Sequence, residues 1–214
     1  MDILYTIFIL PIETVMNVIL SNIAIITGYG LGIVILSILV NTTLIPLYNY
    51  AERIMKKEQT LQFDMYPAVL EVKQKFSGEE GFYKLKAIYK KHNYHPIKSL
   101  RSTFGLAIQI PFFISAYIML SNYSPLQGVG FLFIENLGDK DGLLWGINMM
   151  PFVMTGINII SGLFYTNSKQ QREQLFIMSA LFLVLLYNSP AGLLLYWTCN
   201  NIFYLVKKFI GTKN

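Results

Sequence analysis

Charge is absent from four long stretches of this 214-residue chain, and cysteine and histidine are scarce throughout it. The single cysteine, Cys199, excludes an intrachain disulfide. The two histidines, His92 and His95, have no cysteine nearby to complete a familiar metal-ligand spacing. We interpret them as surface or packing residues, and we expect no metal or other cofactor.

The uncharged stretches are residues 14–51, 102–134, 142–168 and 174–206. Each exceeds the ~20 apolar residues that a bilayer-crossing helix requires. Asn188, Ser189 and Pro190 interrupt the last stretch, where proline removes a backbone donor and disfavours helix in the residue before it. The pattern therefore predicts five spans, with two short ones at the C-terminal end.

The distribution of basic residues supports five spans. With the N-terminus outside, sixteen of the seventeen Lys and Arg residues are cytoplasmic, eleven of them within residues 51–101. Four spans would place three C-terminal lysines outside, against the tendency of such residues to remain inside. A positive-inside segment near anionic lipid accounts for most of this charge, so no specific nucleic-acid partner is required.

The first 27 residues contain no Lys or Arg, which argues against a signal-peptide n-region and leads us to expect a mature N-terminus. Glu13, Asn17 and Ser21 recur at helical spacing and form a polar stripe opposite apolar residues. The stripe favours an amphipathic helix lying in the outer membrane interface. A sixth span is the alternative.

The basic segment predicts a helical hairpin in the cytoplasm. Its two helices would cover Arg53–Phe76 and Phe82–His92, with a break at residues 77–81, where two glycines lie. The first helix carries an apolar stripe that would either pack on the second helix or meet a substrate. The stripe comprises Leu61, Met65, Val69, Val72 and Phe76.

The predicted fold is an all-α integral membrane protein with five transmembrane helices, an N-terminal interfacial helix and a cytoplasmic helical hairpin. The spans are placed at about residues 29–49, 103–121, 146–166, 174–188 and 190–207. The domains are the interfacial helix at 1–27, a five-span core at 28–209 that includes the hairpin at 51–101, and a short cytoplasmic tail at 210–214.

The predicted spans contain no Asp, Glu, Lys, Arg or His, which removes the usual carriers of proton relays, ion-coupled transport and membrane-embedded catalysis. Their polarity is instead uncharged. In span 3, Asn148, Thr155, Asn158 and Gly162 fall within one arc of a helix. Taken singly, each of these amides or hydroxyls is best explained by a hydrogen bond to a neighbouring helix.

Together, the polar residues of several spans could line a water-containing groove, because unpaired amides facing hydrocarbon would be costly. The groove candidates are Asn41, Thr42, Gln109, Asn148, Thr155 and Asn158.

The sequence segments of this chain, taken in order, resemble the YidC/Oxa-type membrane protein insertase family over nearly the whole chain. The resemblance is carried by GYGLGIVILSILVNTTLIPL, LQFDMYPAVLEVKQKF, IYKKHNYHP, AIQIPFFISAYIML, FLFIENLG and SPAGLLLYWTCNNIF, in that order. The order and spacing of these segments are more specific than any one of them.

The resemblance implies a non-enzymatic insertase or chaperone in a bacterial plasma membrane. A nascent hydrophilic tail would enter a groove that is open to the cytoplasm and to lipid, while the hydrophobic segment slides into lipid along spans 2 and 4. Its partners would be nascent membrane proteins and lipids, and contact with a ribosome or the general translocon stays open. The slide candidates are Ile110, Phe112, Phe113, Phe176 and Leu183.

Two stretches depart from the family pattern. Asn41, in VNTTLIPL, stands where the family commonly has an arginine, so a fixed positive charge that would attract acidic tails is missing. The stretch KSLRSTFGLAIQIP also replaces the usual approach to span 2. The missing arginine keeps a second function open, an assembly factor dedicated to one membrane complex. A small-molecule transporter or flippase is a third alternative, disfavoured by the absence of ionisable residues in the spans.

Overall fold

The computed structural model describes residues 3, 5–95, 104–164, 166 and 169–211. Within these residues the fold is all-α, as predicted, and contains no β-strand. The chain divides into two compact units, Met1–Thr43 with Pro111–Asn214, and Leu44–Ile110, which we call the core unit and the hairpin unit. The helices are α1 (Leu10–Thr27), α2 (Tyr29–Lys75), α3 (Gly78–Lys91), α4 (Phe104–Ser121), α5 (Met150–Leu163), α6 (Lys169–Leu186) and α7 (Ala191–Gly211).

Helix α1 has three different faces. Met16, Leu20 and Ala24 recur every four residues and are buried against the rest of the core unit. Ile25 and Ile26, at the end of the helix, are almost fully exposed. The predicted polar stripe begins at Glu13, which accepts a 2.9 Å hydrogen bond from the Tyr5 hydroxyl in a preceding π-helical turn, Tyr5–Ile9.

Helix α2 runs for 47 residues without interruption, although Pro46 and Pro67 lie inside it. The sequence predicts a span ending near residue 49 and a separate helix from Arg53, and that separation is wrong. Each proline removes only one backbone donor from the helix. The change from apolar to charged residues near Ala51 alters the surroundings of the helix and not its backbone.

The turn between α2 and α3 is shorter than predicted. Helix α3 begins at Gly78, which has a left-handed φ of +64°, so most of the predicted five-residue break is helical. Glu79 and Glu80 lie in its first turn, where carboxylates favour the positive end of the helix. A side chain at Gly81 would press against the Phe76 carbonyl, so a small residue there permits close approach.

The break between α6 and α7 falls at residues 187–190, as predicted. These two helices are longer than expected, and the short one is α5. Its fourteen residues reach only ~21 Å, against a hydrocarbon core of ~30 Å. Helix α5 packs against both α6 and α7, and Gly162 allows Leu175 of α6 to approach closely.

The connection between α4 and α5, which we call the 122–148 loop, is anchored in the core unit. Leu126, Ile134 and Leu137 are buried in the same apolar cluster as α7. Asn136 Oδ1 accepts hydrogen bonds from the backbone N–H groups of Gly128 and Gly138. The loop thus has its own small interior, although it contains no regular strand or long helix.

Two stretches of the described residues, Tyr5–Thr27 and Tyr29–Lys75, are long and apolar enough to cross a membrane by length and composition. Ile108–Ser121 and Met150–Leu163 are shorter apolar helices. The count of five spans, the interfacial position of α1 and the domain bounds stay predictions.

Candidate functional site

A buried group of neutral polar side chains joins α2 to α7 in the core unit. Ser37 Oγ donates a 2.7 Å hydrogen bond to Asn200 Oδ1, and Asn41 Nδ2 donates a 2.6 Å bond to the same oxygen. Asn41 Nδ2 also donates to the Ser37 carbonyl at 2.8 Å. The Asn41 side chain is only 2% exposed, and Ser37 and Asn200 are buried too. We call these three residues the amide cluster.

The amide cluster is neutral and retains hydrogen-bonding capacity. An unpaired amide in an apolar interior costs roughly 1–3 kcal/mol, and the shared oxygen of Asn200 relieves much of that cost. Asn41 Oδ1 and Asn200 Nδ2 take no part in the bonds just described. The cluster therefore holds one acceptor and one amino group that could pair with water or with a peptide group.

Helix α7 carries two further buried donors, four residues apart on one face. Trp197 Nε1 and Asn201 Nδ2 find no hydrogen-bond acceptor within the described part of the chain, and the two residues are 8% and 6% exposed. The Trp197 ring lies edge-on to Phe113, with centroids 4.2 Å apart, and 5.5 Å from the ring of Phe182. Buried donors without acceptors are rare in proteins, and these two N–H groups keep donor capacity that the described residues do not use.

Helices α5 and α6 share a second polar contact. Asn158 Nδ2 donates to Ser179 Oγ at 3.1 Å, and Thr155 Oγ1 donates to the Pro151 carbonyl at 2.7 Å in its own helix. Small and polar residues at such crossings allow close packing and hydrogen bonding between helices. The contact is consistent with the simpler interpretation, in which Asn158 serves to hold α5 to α6 by a hydrogen bond.

Asn148 has a structural role that the sequence did not predict. It precedes α5 rather than lying on it, so the predicted arc of span 3 is wrong at this position. Its Oδ1 accepts from the Gly142 N–H, and its Nδ2 donates to the Tyr187 carbonyl at 2.9 Å. The Oδ1 contact thus lies within the 122–148 loop, and the Nδ2 contact holds the end of the loop to the residue that follows α6.

Two groove candidates, Thr42 and Gln109, take part in none of the hydrogen bonds of the amide cluster. Thr42 lies next to Asn41 in the chain, but its side chain is exposed. Gln109 is half-buried and belongs to the hairpin unit.

The five slide candidates differ in exposure. Phe176 and Ile110 are exposed apolar side chains, while Phe112 and Leu183 are half-buried. Phe113 packs on the apolar core of the core unit through Trp197 and Phe182. Its ring is a support for α7 rather than a free surface.

The predicted apolar stripe of the hairpin faces inward. Met65 and Val72 are buried, which decides between the two predicted uses of the stripe in favour of packing. Tyr48 is buried in this part of α2, and five further buried positions recur every seven residues, in the manner of a coiled-coil seam, with a carboxylate at one of them. These positions are Leu44, Ala51, Glu58, Met65 and Val72.

A different face of the hairpin is exposed and apolar. Phe63, Tyr66 and Leu70 follow one another at helical spacing and are all exposed, with the cations Lys56 and Lys73 at the two ends. We call these three residues the outer stripe.

The charged groups of the hairpin pair locally. Lys75 Nζ lies 2.8 Å from Glu71 Oε1, and this contact lowers the pKa of the Glu71 carboxyl below its usual value. Lys84 pairs with Glu80 at 2.9 Å, and its Nζ also lies 3.1 Å from the centre of the Phe76 ring. No group of three potential metal ligands occurs among the residues that the structure describes.

Comparison with known proteins places this geometry in a family. A family model described as "60Kd inner membrane protein" matches residues 20–214. The chain is 26% identical to the membrane protein insertase YidC of Treponema denticola, over 97% of this chain and 38% of that protein. It is 29% identical to the YidC of Aquifex aeolicus, over 86% of this chain and 35% of that protein.

A solved structure agrees in fold. The crystal structure of an active YidC insertase with its first transmembrane domain resolved matches 98% of this chain and 47% of that chain, with a TM-score of 0.59 and 19% identity. The chain spans about a third of the length of the curated relatives it matches. The matched range and the shared fold show that this chain belongs to the YidC/Oxa family of membrane proteins.

Proposed function

We propose that this chain is a non-enzymatic insertase or chaperone for membrane proteins. The observation that carries the proposal is the amide cluster, a buried polar site with spare hydrogen-bonding capacity inside an apolar helical unit. The names of the relatives support it, since those proteins are membrane protein insertases. The clients would be nascent membrane proteins, in contact with membrane lipid.

The site would lower the cost of moving a short hydrophilic tail partway through the membrane. Peptide groups lose hydrogen bonds to water when they enter hydrocarbon, and a polar wall replaces part of that loss. The hydrophobic segment then gains roughly 25 cal/mol per Å² of apolar surface as it enters lipid. The groove would include Asn41, Thr42 and Asn158 of the core unit, with Phe176 on the slide.

The proposed topology places α2, α4, α5, α6 and α7 across a bacterial inner membrane, with the N-terminus outside and the C-terminus in the cytoplasm. The distribution of basic residues supports this orientation. The domain bounds are those predicted: an interfacial helix at 1–27, the span core at 28–209 with the hairpin at 51–101, and a tail at 210–214.

Reconstitution tests the proposal directly. The purified chain in proteoliposomes should protect the tail of a single-span substrate from added protease, above the level in empty liposomes. Asn41→Leu removes two side-chain donations, so we expect insertion to fall several-fold. Thr43→Val is the matched control, because Thr43 donates only to the Leu39 carbonyl of its own helix and is exposed.

Two substrates that differ only in the charge of their tails test whether the neutral amide cluster sets the preference for tails. A neutral tail rich in Asn and Gln should be inserted at least as well as an acidic tail, because the amide cluster carries no charge. Asn41→Arg should shift that preference towards the acidic tail. Insertion that is equal to empty liposomes for both tails, with the chain folded, would refute autonomous insertion.

That negative outcome would favour the second candidate, an assembly factor for one membrane complex. In its favour is the neutral side chain of Asn41, since the family resemblance leads us to expect an arginine at this position. A dedicated factor would copurify stably with one partner, and an insertase would not.

The outer stripe of the hairpin is the proposed receiving surface for clients. Phe63→Ser with Tyr66→Ser should reduce insertion of a tail-bearing substrate without changing the fold, because both side chains are exposed. Gln74→Ser, on the same helix and exposed, is the matched control. Unchanged insertion by the double variant would remove the stripe from the mechanism.

A further inference from the structure

The 122–148 loop carries two tight turns with large apolar side chains at their tips. In the first, Phe131 and Ile134 exchange backbone hydrogen bonds of 2.8 and 2.9 Å around Leu132 and Phe133. In the second, Leu144 and Ile147 pair in the same way around Trp145 and Gly146. Leu132 is 82% exposed and Trp145 is 94% exposed, and Phe133 is exposed as well.

The side chains at these tips are not those that the turn geometry favours. Leu132 and Trp145 have φ values of +54° and +49°, in the left-handed region. Two-residue turns of this kind favour Asn, Asp or Gly, which adopt positive φ with little strain. Exposed large apolar residues at two such positions indicate that the side chains have a use at the surface.

The bases of both turns are held firmly. Ile134 is buried in the core cluster, and a side chain at Gly30 of α2 would clash with the Phe131 ring, so the first turn is packed at its root. Beside the second turn, Asp141 Oδ2 accepts from the backbone N–H groups of Met149 and Met150. The exposed tips are therefore presented on a fixed support.

The length of α5 places the second turn beside lipid, if α5 spans the membrane. Fourteen residues reach ~21 Å, well short of the ~30 Å hydrocarbon core. Leu144, Trp145 and Ile147 immediately precede this helix and extend its apolar character. Tryptophan and phenylalanine at the ends of spans are typical of the region between headgroups and acyl chains.

We propose that the turns at residues 131–134 and 144–147 insert their tips into the phospholipid interface of the outer leaflet and hold the 122–148 loop on the membrane. The proposal rests on the five-span topology proposed above, and not on insertase activity. The loop's charges, Glu135, Asp139, Lys140 and Asp141, lie outside both tips. The ligand is thus the headgroup–acyl boundary of an ordinary phospholipid rather than an anionic headgroup.

Tryptophan fluorescence tests the second turn, because the chain has only Trp145 and the buried Trp197. The full chain would be reconstituted in dioleoylphosphatidylcholine vesicles, with and without brominated phosphatidylcholine, and its emission compared with that of Trp145→Phe. The difference spectrum should be blue-shifted from that of a solvated tryptophan. Brominated lipid should quench it several-fold more than aqueous iodide does.

A difference spectrum at the position of solvated tryptophan, quenched mainly by iodide, would overturn the proposal. A blue-shifted spectrum that neither quencher reaches would also overturn it, since that result means contact with protein, such as a second copy of this chain.

The first turn has an independent test. In a Cys199→Ser background, Phe133→Cys labelled with an environment-sensitive thiol probe should report a lipid environment, and Lys140→Cys should report water. Labelling of both positions as solvated would refute anchoring by this turn.

The same Lys140→Cys variant separates this proposal from the others. Its access to an impermeant reagent reports on which side the loop lies, and protease protection of a substrate reports insertion. Quenching by brominated lipid depends on neither result.

Discussion

The two long connections of this chain are built in different ways. The 122–148 loop contains no long helix, and it is held by buried leucines, by Asn136 and by the Asn148 amide. The hairpin is regular helix, with a seven-residue seam inside and pairs of exposed charges outside. The loop thus depends on buried leucines and specific polar groups of the core unit, whereas the hairpin forms a compact unit of regular helix.

The largest expected effect comes from removing buried side chains. Leu137→Ala in the loop should destabilise the core unit by about 2–5 kcal/mol, because Leu137 is fully buried. Met65→Ala in the hairpin seam should cost a similar amount. Hydrogen exchange measured by mass spectrometry should show faster exchange around residues 124–138 and α7 for the first variant, and within α2 and α3 beyond residue 60 for the second.

Faster exchange in the same segments for both variants would contradict this difference between the loop and the hairpin. That result would mean that the loop and the hairpin share one cooperative structure, contrary to the two compact units seen here.

Helix capping gives a smaller, matched test. Asp141→Ala removes the acceptor for the N–H groups of Met149 and Met150, so we expect a loss of about 1 kcal/mol, within the usual range for a lost cap. Ser77→Ala, at the start of α3, should change little, since the Ser77 side chain makes no capping hydrogen bond. Denaturant unfolding in detergent would measure both, and equal losses would mean that the loop is no more dependent on its polar contacts than the hairpin.

The smallest effect belongs to the exposed ion pair of the hairpin. Lys75 lowers the pKa of Glu71, so folding favours the ionised carboxylate. Its contribution is present above the ordinary carboxyl pKa and is lost as the pH falls through the lowered value. Glu71→Gln should therefore be slightly less stable than the parent at neutral pH and equal to it in acid, as followed by circular dichroism. A difference in stability between the variant and the parent that persists in acid would mean that packing, and not charge, causes the effect.

Periodicity and hydropathy predicted most of the helices, and they failed where the deciding interaction was not local. The end of α4 and the break before α7 follow from a run of apolar residues and from Pro190. The continuity of α2 was missed because a boundary in charge resembles a boundary in structure. Of the apolar stripe predicted for the hairpin, Met65 and Val72 are buried and the other members are half-buried, and the sequence alone does not show what covers them.

The candidate site was harder to predict than the fold. The family motif points to Asn41, but its partner Asn200 is 159 residues away, and no spacing rule predicts such a pair. Ser37 lies one turn before Asn41 on the same face of α2, and this four-residue spacing is a signal that could have identified Ser37. Leu132 and Trp145 have positive φ, which turn propensities assign to Asn, Asp or Gly. Sequence propensity therefore does not predict these two turns.

The neutrality of the amide cluster has an electrical consequence. A membrane potential acts on fixed charge, at about 2.3 kcal/mol per elementary charge for each 100 mV crossed. Ser37, Asn41 and Asn200 carry no charge, so the potential exerts no net force on this site whether the membrane is energised or collapsed. In the proposed insertion, voltage dependence would then originate outside the amide cluster, in charges such as those of a client's tail.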